Sequence, residues 1–324
     1  MTRAVPGLVL ALSLVACGSN GDVSSDGDTG DAASAPIADA DAVTVGHHYG
    51  TTTVDGPPER IVSLDTQWTD VLVALDAPLA AAALDPLVEG GRYPWQADMP
   101  ASVEDIPVTD TIPYEAVAAA QPDLIVVTWA VTQESDYERL SEIAPTIPLL
   151  GDGEVDTWQD IARTAGDVLG IPDEAEALVV EADQRSADLA AELPGLDGKT
   201  YVLANYTPGD VITVVADPND GAATVFAQLG LQIDPDILAL AEGAVGRVDL
   251  SLERIDELDA DLLVLLTNGA DPADIAGYGN LPAVRDGAVS LLDLAAVVGL
   301  NTPTPLSIPY SLERIHPALE AAAT

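Results

Sequence analysis

The sequence predicts an α/β protein in which two halves, each built on a mostly parallel central sheet, are joined by one long α-helix. Short apolar runs alternate with amphipathic helical patterns on both sides of the chain's centre. Residues 173–193, between the two series, contain no Gly or Pro. A Glu followed eight residues later by an Asp that begins a strand occurs in each half. Strands separated by helices are typical of parallel sheets covered on both faces.

The N-terminal residues predict export and lipidation. Arg3 precedes a short apolar run over residues 5–15, and Cys17, the one cysteine of the chain, follows directly after Ala16. This arrangement is similar to a bacterial lipoprotein signal, in which the first mature residue is a lipidated cysteine. We therefore assign residues 1–17 as a signal peptide ending at lipidated Cys17; an ordinary secretory signal is the alternative. The apolar run is short for a transmembrane helix, and one cysteine excludes an intramolecular disulfide.

An acidic, disordered tether is predicted over residues 18–44. Its first part, residues 18–41, holds six Asp, no base and hardly any large apolar residue, so it cannot bury enough surface to fold. The whole chain has 54 acidic and 11 basic residues, a net charge of −43. This charge repels nucleic acids and anionic lipids. The even spread of the acids favours a solvated acidic coat over a surface that attracts a cationic ligand.

The N-terminal half, residues 45–170, alternates apolar runs with helical patterns. After the first strand, Trp68, Val71 and Leu72 recur at the spacing of one helical face, and Gly170 is a typical helix end. The predicted strands are 60–64, 80–84, 124–127 and 147–150, and the predicted helices are 66–75, 114–120, 134–143 and 158–169.

One long helix is predicted between the halves, within residues 171–196. Pro172 suits its first position, and Pro194 with Gly195 ends the pattern. A helix of this length is a rigid connector. The C-terminal half, residues 197–324, resumes the alternation, with predicted strands 200–204, 211–215, 262–266 and 289–292 and predicted helices 222–229 and 312–322.

The repeated acidic pattern indicates two halves of similar topology. Glu115 leads to Asp123, and Glu253 leads to Asp261, each over eight residues. Each Glu lies where a short helix begins, at the positive end of the helix dipole. Each Asp lies where a buried strand begins.

Motifs of catalysis are absent from the sequence. It contains no G-x-G-x-x-G after a strand, no P-loop and no G-x-S-x-G. We therefore predict no catalytic residue and no cofactor. His47 and His48 are adjacent, and neighbours on a strand point to opposite faces, so we expect no metal site.

The candidate binding residues are the aromatics at strand ends. Ligands of parallel α/β sheets bind beyond the carboxyl ends of the strands, where aromatic rings offer contact surface and arginine binds anionic oxygens. These residues lie at or just after predicted strand ends, or share one loop: Trp68, Trp129 and Tyr206, and then Arg92, Tyr93 and Trp95.

Several segments resemble the iron-siderophore and cobalamin substrate-binding proteins of ABC importers. The likeness runs from about Val45 to the C-terminus, and the segment at 137–146 is its most specific part. The segments are His-Tyr-Gly-Thr-Thr at 48–52, Pro-Glu-Arg-Ile-Val-Ser-Leu at 58–64, Ile-Pro-Tyr-Glu at 112–115, Gln-Pro-Asp-Leu-Ile at 121–125, Tyr-Glu-Arg-Leu-Ser-Glu-Ile-Ala-Pro-Thr at 137–146 and Pro-Leu-Ser-Ile-Pro at 305–309.

The resemblance implies two Rossmann-like lobes that hold a ferric siderophore between them without catalysis. It implies a monomer anchored outside the cytoplasmic membrane, with no nucleic-acid partner. Glu115 and Glu253 match the positions that dock with the permease of the importer. Arg247 joins Arg92, Tyr93 and Trp95 as a candidate for holding an anionic chelate. The scarcity of bases leaves a neutral hydroxamate chelate, haem or cobalamin open, and a lipid-anchored α/β enzyme is a further alternative.

Overall fold

The computed structural model describes residues 42–86, 88–108, 111–151, 156–241 and 246–324. The predicted signal peptide, including Cys17, and residues 18–41 of the predicted tether lie outside the described residues. The first strand begins at Val43, inside the stretch predicted as tether. Within the described residues, no helix is both long enough and apolar enough to cross a membrane.

The described strands form two larger sheets and one separate hairpin. They are β1 (Val43–His47), β2 (Gly50–Val54), β3 (Ile61–Ser63), β4 (Leu79–Leu84), β5 (Glu104–Pro107), β6 (Leu124–Val126), β7 (Thr146–Ile147), β8 (Thr200–Tyr206), β9 (Val211–Val215), β10 (Gln232–Ile233), β11 (Arg247–Ser251), β12 (Leu262–Leu266) and β13 (Val289–Leu292).

The described α-helices lie between and after these strands. They are α1 (Thr66–Ala74), α2 (Tyr114–Ala119), α3 (Glu134–Ser141), α4 (Trp158–Leu169), α5 (Pro172–Glu192), α6 (Gly221–Gln228), α7 (Pro235–Leu240), α8 (Pro282–Asp286), α9 (Leu294–Asn301) and α10 (Ser307–Ala322). Short 3₁₀ helices include Pro94–Gln96 and Leu252–Leu258.

The N-terminal sheet is fully parallel, in the order β5-β4-β3-β6-β7. Neighbouring residues of one strand point to opposite faces, so Ile61 packs in one core while Val62 packs in another. The first core contains Trp68 of α1, and the second contains Val117 of α2 and Leu140 of α3. Both faces of the sheet are therefore covered by helices.

The C-terminal sheet is mostly parallel, in the order β11-β9-β8-β12-β13, with β10 beside the start of β8. Strands β8, β10, β12 and β13 are parallel, and β9 runs antiparallel to β8. These two sheets, with α5 between them in the chain, confirm the predicted fold class of two parallel-sheet α/β lobes.

Helix α5 forms the spine between the two lobes. Its 21 residues give a length of about 30 Å, and it packs on α4 of the N-terminal lobe and α6 of the C-terminal lobe. The contact with α4 is close, because a Cβ on Gly166 would overlap the Cβ of Ala175. The spine is therefore anchored to both lobes along its sides.

Several elements differ from the sequence prediction for identifiable reasons. Strand β5 was not predicted because Ile106 is the one buried residue of its four, so no apolar run marks it. Helix α9 was not predicted because it is apolar around most of its circumference and shows no helical period. Strand β7 stops at Ile147, whereas 147–150 was predicted. Helix α10 begins before Leu312 because Pro309 lies in its first turn, where the missing N–H is tolerated.

A second connection between the lobes centres on the buried side chain of Asp70 in α1. Its carboxylate accepts hydrogen bonds from Trp95 Nε1 at 2.7 Å, Gln96 Nε2 at 2.6 Å and Thr304 Oγ1 at 2.7 Å. Thr304 precedes α10, and its hydroxyl also accepts from the backbone N–H of Ser307 at 2.9 Å. The carboxylate thus ties α1 to the start of the C-terminal helix. We call this set, Asp70, Trp95, Gln96 and Thr304, the seam.

Protonation of Asp70 should stabilise the fold. Burial raises the pKa of Asp70 to about 6, although its three hydrogen bonds oppose the shift. The folded state therefore binds this proton more tightly than the unfolded chain. Relative to Asp70→Asn, the wild type should gain about 1 kcal/mol of unfolding free energy as the pH falls from about 7 to about 5. Urea unfolding across that range measures the difference.

The exposed Asp98 supplies the matched control. Asp98→Asn should follow the wild-type pH dependence throughout. If the difference in unfolding free energy between wild type and Asp70→Asn is the same at every pH, Asp70 binds its proton no more tightly in the folded state than in the unfolded chain.

Candidate ligand cleft

A cavity of about 1380 Å³ opens at the carboxyl ends of the N-terminal strands. Leu64 follows β3, Leu84 ends β4, Val108 follows β5, and Trp129 lies just beyond β6. Parallel strands bring their carboxyl ends to one edge of the sheet, and this edge is where α/β proteins bind ligands. We call this cavity the cleft.

The facing wall of the cleft comes from the C-terminal lobe. It consists, among the described residues, of Val298 in α9 and Thr302 just beyond that helix. This segment leads directly into Thr304, which the seam holds against Asp70. The cleft therefore lies between the lobes, although most of its surface belongs to the N-terminal lobe.

Acidic side chains outnumber basic ones on the described cleft wall. The carboxylates are Asp65, Asp85, Glu115 and Asp136, and Arg139 is the one guanidinium among the described lining residues. The electrostatic field inside the cleft is therefore dominated by negative charge.

Asp65 is the most deeply placed of these carboxylates. It caps α1 by accepting from the backbone N–H of Trp68 at 2.9 Å, and it accepts from the N–H of Thr128 at 2.7 Å. Burial raises the pKa of Asp65 to about 6. The carboxylate joins the start of α1 to the end of the neighbouring strand, which fixes the floor of the cleft.

Two tyrosine hydroxyls on the cleft wall already donate to carboxylates. Tyr93 donates to Asp85, and Tyr114 donates to Asp136 at 2.8 Å. Burial, together with these anionic acceptors, raises the pKa of both phenols. The guanidinium of Arg139 lies over the ring of Tyr114, 3.8 Å from its centroid, in a cation–π contact.

Two of the seven predicted binding residues line the cleft. Trp129 is 45% exposed at its mouth, which makes it an available aromatic surface. Tyr93 also lines the cleft, although most of its ring is buried and its hydroxyl is bound to Asp85.

The other three predicted aromatics lie outside the described lining. Trp68 is 1% exposed and belongs to the core, because α1 is buried around its whole circumference. Trp95 turns its indole N–H to Asp70 and stacks on Tyr93 with ring centroids 4.5 Å apart. Tyr206 is buried at the end of β8. Position after a strand end therefore did not distinguish a cleft residue from a packing residue.

Both predicted arginines also lie outside the described lining and pair with acids. Arg92 forms an ion pair with Asp105. Arg247 pairs with Asp220 at 3.2 Å, and its strand register places it opposite Val215, at the end of β9 remote from Tyr206.

Several neutral and basic lining residues were missed by the sequence analysis. Most of them lie after a strand and near the start of the following helix, namely Thr66, Gln67, Tyr114, Thr132 and Gln133, whereas Arg139 lies in the last turn of α3. The same signal of position after a strand would have included most of them, had it been applied to amides and hydroxyls as well as to aromatics. Arg139 carries no such signal, because it lies inside a helix.

The two glutamates of the repeated pattern are exposed in equivalent settings. Glu115 lies in the first turn of α2 at the edge of the cleft, and Glu253 lies in the first turn of the 3₁₀ helix Leu252–Leu258. The partner aspartates have matching roles: Asp123 accepts from the N–H of Arg60 at 2.9 Å, and Asp261 accepts from the N–H of Thr200 at 2.8 Å.

Comparisons with known proteins identify relatives across most of the chain. A family model described as periplasmic binding protein matches residues 61–295. The Fe(3+) dicitrate-binding periplasmic protein FecB of Escherichia coli (strain K12) is 30% identical over 220 residues, which cover 65% of this chain and 68% of that protein. The Fe(3+)-citrate-binding protein YfmC of Bacillus subtilis is 26% identical over 261 residues, covering 77% of this chain and 78% of that protein. A crystal structure of a periplasmic solute binding protein from Mycobacterium smegmatis superposes with a TM-score of 0.72 at 26% identity, covering 87% of this chain and 99% of that chain.

Proposed function

The chain belongs to the periplasmic binding protein family, and from this premise we propose that it is the solute-binding component of an ABC importer for ferric siderophores. It captures the chelate between its two lobes outside the cytoplasmic membrane and delivers it to the permease as a monomer. The observation that carries the proposal is the cleft of about 1380 Å³ at the carboxyl ends of the parallel strands, large enough for a whole ferric chelate.

The proposed functional units follow the sequence division. The first lobe extends from β1, which begins at Val43, to residue 170, followed by the connecting helix 171–196 and the second lobe 197–324, and it is preceded by the signal 1–17 and a tether that ends before Val43. Two similar relatives are named as ferric-citrate-binding proteins, which supports iron chelates as the ligand class. Haem and cobalamin are the alternative ligands on the same scaffold.

Because the spine and the seam both join the lobes, we expect ligand binding to change their spacing only slightly. A stiff connector and a buried polar contact limit hinge motion to small displacements. The permease then recognises the distance between two surface points, one on each lobe.

Ferric chelates should quench the fluorescence of Trp129, because this indole is exposed at the mouth of the cleft. We expect saturable quenching by at least one chelate in a panel of ferric hydroxamates, citrate and catecholates, with haemin and cobalamin added as alternatives. Trp129→Phe should remove most of the signal, whereas Trp158→Phe, which alters a buried indole, should keep it.

Calorimetry on the same panel provides a second measurement that does not depend on an indole. If none of the compounds produces either quenching or heat, the proposed function is wrong. If haemin or cobalamin is the one compound that binds saturably, that compound and not a ferric siderophore is the ligand of the protein.

Docking to the permease is proposed to use Glu115 and Glu253, one exposed carboxylate on each lobe. Glu115 also borders the cleft, so Glu253 gives the cleaner test. In a strain lacking its own copy of the protein, Glu253→Arg should leave chelate affinity unchanged and abolish most uptake of radiolabelled iron, because it puts like charges in contact with permease arginines.

The matched control is Asp256→Arg, which reverses an exposed acid on the same 3₁₀ helix. Uptake by this variant should stay close to wild type. Equal uptake by Glu253→Arg and wild type would show that Glu253 does not take part in docking.

Lipidation is proposed at Cys17, supported by the basic residue and apolar run that precede it. Cys17→Ala should lose incorporation of labelled fatty acid and move the protein from the membrane fraction to the soluble fraction. Ser19→Ala, a nearby control, should behave as wild type. Retention of Cys17→Ala on the membrane together with unchanged labelling would contradict the lipid anchor.

A further inference from the structure

The charges of the cleft point to a particular class of ferric chelate. This inference rests on the proposed function and adds the chemical class of the ligand. It depends on the excess of carboxylates on the wall and on three further observations: the positions of all described cations, the sequence of the short stretches between the described ranges, and an unpaired buried acceptor.

The first observation is that few cations are free to balance the wall. Arg139 is the one described Arg or Lys that lines the cleft. The other described basic residues have partners elsewhere: Arg60 binds backbone carbonyls, Arg92, Arg163, Arg185, Lys199, Arg247 and Arg254 pair with acids, Arg285 bonds Asn280, and Arg314 covers the ring of Tyr310.

The second observation concerns the sequence of the short stretches between the described ranges. These are residues 87, 109–110, 152–155 and 242–245. In the sequence they contain Asp110, Asp152, Glu154 and Glu242, and no Lys, Arg or His. They therefore cannot supply a further cation to the cleft.

The third observation is an acceptor without a donor. Gln67 lies on the cleft wall and is 2% exposed, and its Oε1 has no hydrogen-bond partner among the described residues. The orientation of the amide is set by Pro303, whose carbonyl accepts from Nε2 at 3.4 Å. No donor offsets the partial negative charge of this buried oxygen, which therefore adds to the charge of the carboxylates on the wall.

The two tyrosine hydroxyls on the cleft wall do not offset its negative charge. The hydroxyl groups of Tyr93 and Tyr114 already donate hydrogen bonds to Asp85 and Asp136. The charged groups that the described wall presents to a ligand are therefore mainly carboxylates.

Ferric chelates differ in net charge according to their donor groups. A hydroxamate carries a single negative charge, so a trihydroxamate neutralises iron(III), and a free amine on its chain makes the complex cationic. Catecholate and citrate complexes keep an excess of negative charge. Moving such an anion from water into an acidic cleft costs both its solvation and the repulsion between like charges.

We propose that the cleft binds a ferric trihydroxamate carrying a free ammonium group, and that it rejects polyanionic chelates such as ferric citrate. The ammonium donates to the carboxylates of the wall. The uncharged iron centre lies against Trp129 and the apolar wall. Selectivity arises from charge complementarity with Asp85, Glu115 and Asp136.

The sharpest test compares two chelates that differ by one charge. Ferrioxamine B has a free ammonium, and its N-acetyl derivative has the same iron centre without it. We expect ferrioxamine B to bind with a Kd about tenfold lower at low salt, equivalent to about 1.4 kcal/mol. High salt should reduce this ratio by screening the charges, and ferric citrate should show no saturable binding.

Variants connect the effect to the cleft. Asp136→Asn removes one charge while keeping an oxygen for the Tyr114 hydroxyl, and it should lower the ratio between the two chelates by about threefold or more. Glu138→Gln removes an exposed charge on the same helix outside the described lining, and it should leave the ratio unchanged.

The possible outcomes separate this inference from the proposed function. Tighter binding of ferric citrate or of a ferric catecholate than of ferrioxamine B overturns the inference and leaves the siderophore function in place. Equal affinity for ferrioxamine B and its acetylated form overturns the role of the ammonium. Failure of every ferric chelate to bind overturns the proposed function and this inference together.

Discussion

The arrangement of the two lobes depends on one buried carboxylate. Asp70 lies inside the protein with no solvent contact and accepts hydrogen bonds from three side chains of distant origin: Trp95, Gln96 and Thr304. Trp95 and Gln96 belong to the same lobe as Asp70, so separating the lobes at this point would break the Thr304 bond and leave the buried carboxylate with one donor fewer. The seam therefore fixes the two lobes relative to each other. It holds the segment before α10 against α1, and this same segment provides Thr302 to the cleft.

The seam explains why the cleft has a defined shape although few of its described lining residues belong to the C-terminal lobe. The spine α5 fixes the lobes along one line through α4 and α6. Contacts along α5 alone would leave the lobes free to rotate about the axis of this helix. The bond between Asp70 and Thr304 is a second point of contact between the lobes, and it opposes that rotation. The width of the cleft is then set by packing within the protein, and ligand selection depends on what its wall presents rather than on how far it closes.

The sequence allowed the scaffold to be predicted better than the site. Buried runs such as residues 262–266 identify central strands without any knowledge of their neighbours. Predicting the site requires knowing which hydrogen-bond or ion-pair partner each polar side chain has in the folded protein. Asp70 lies in α1 beside Val71 and Leu72, and one of its donors is Thr304, 234 residues away. Trp95 also donates to Asp70 and lies outside the described lining of the cleft, where its place in the sequence suggested it would lie. Arg139 shows the converse, since a helical arginine among many acids turns out to cover Tyr114 on the cleft wall.

The repeated Glu-to-Asp interval has a structural origin that precedes any function of the glutamates. In each lobe the Asp accepts from the backbone N–H at the start of the neighbouring central strand, with Asp123 on Arg60 and Asp261 on Thr200. This bond sets the relative register of two parallel strands, and the fixed interval then places the preceding helix and its Glu at a defined height above the sheet. The equivalent positions of Glu115 and Glu253 follow from these two hydrogen bonds. The equivalence is incomplete, because Glu115 begins an α-helix whereas Glu253 lies in a 3₁₀ helix with non-helical backbone angles at Arg254. A partner that contacts both glutamates must therefore be adapted to two similar but unequal surfaces.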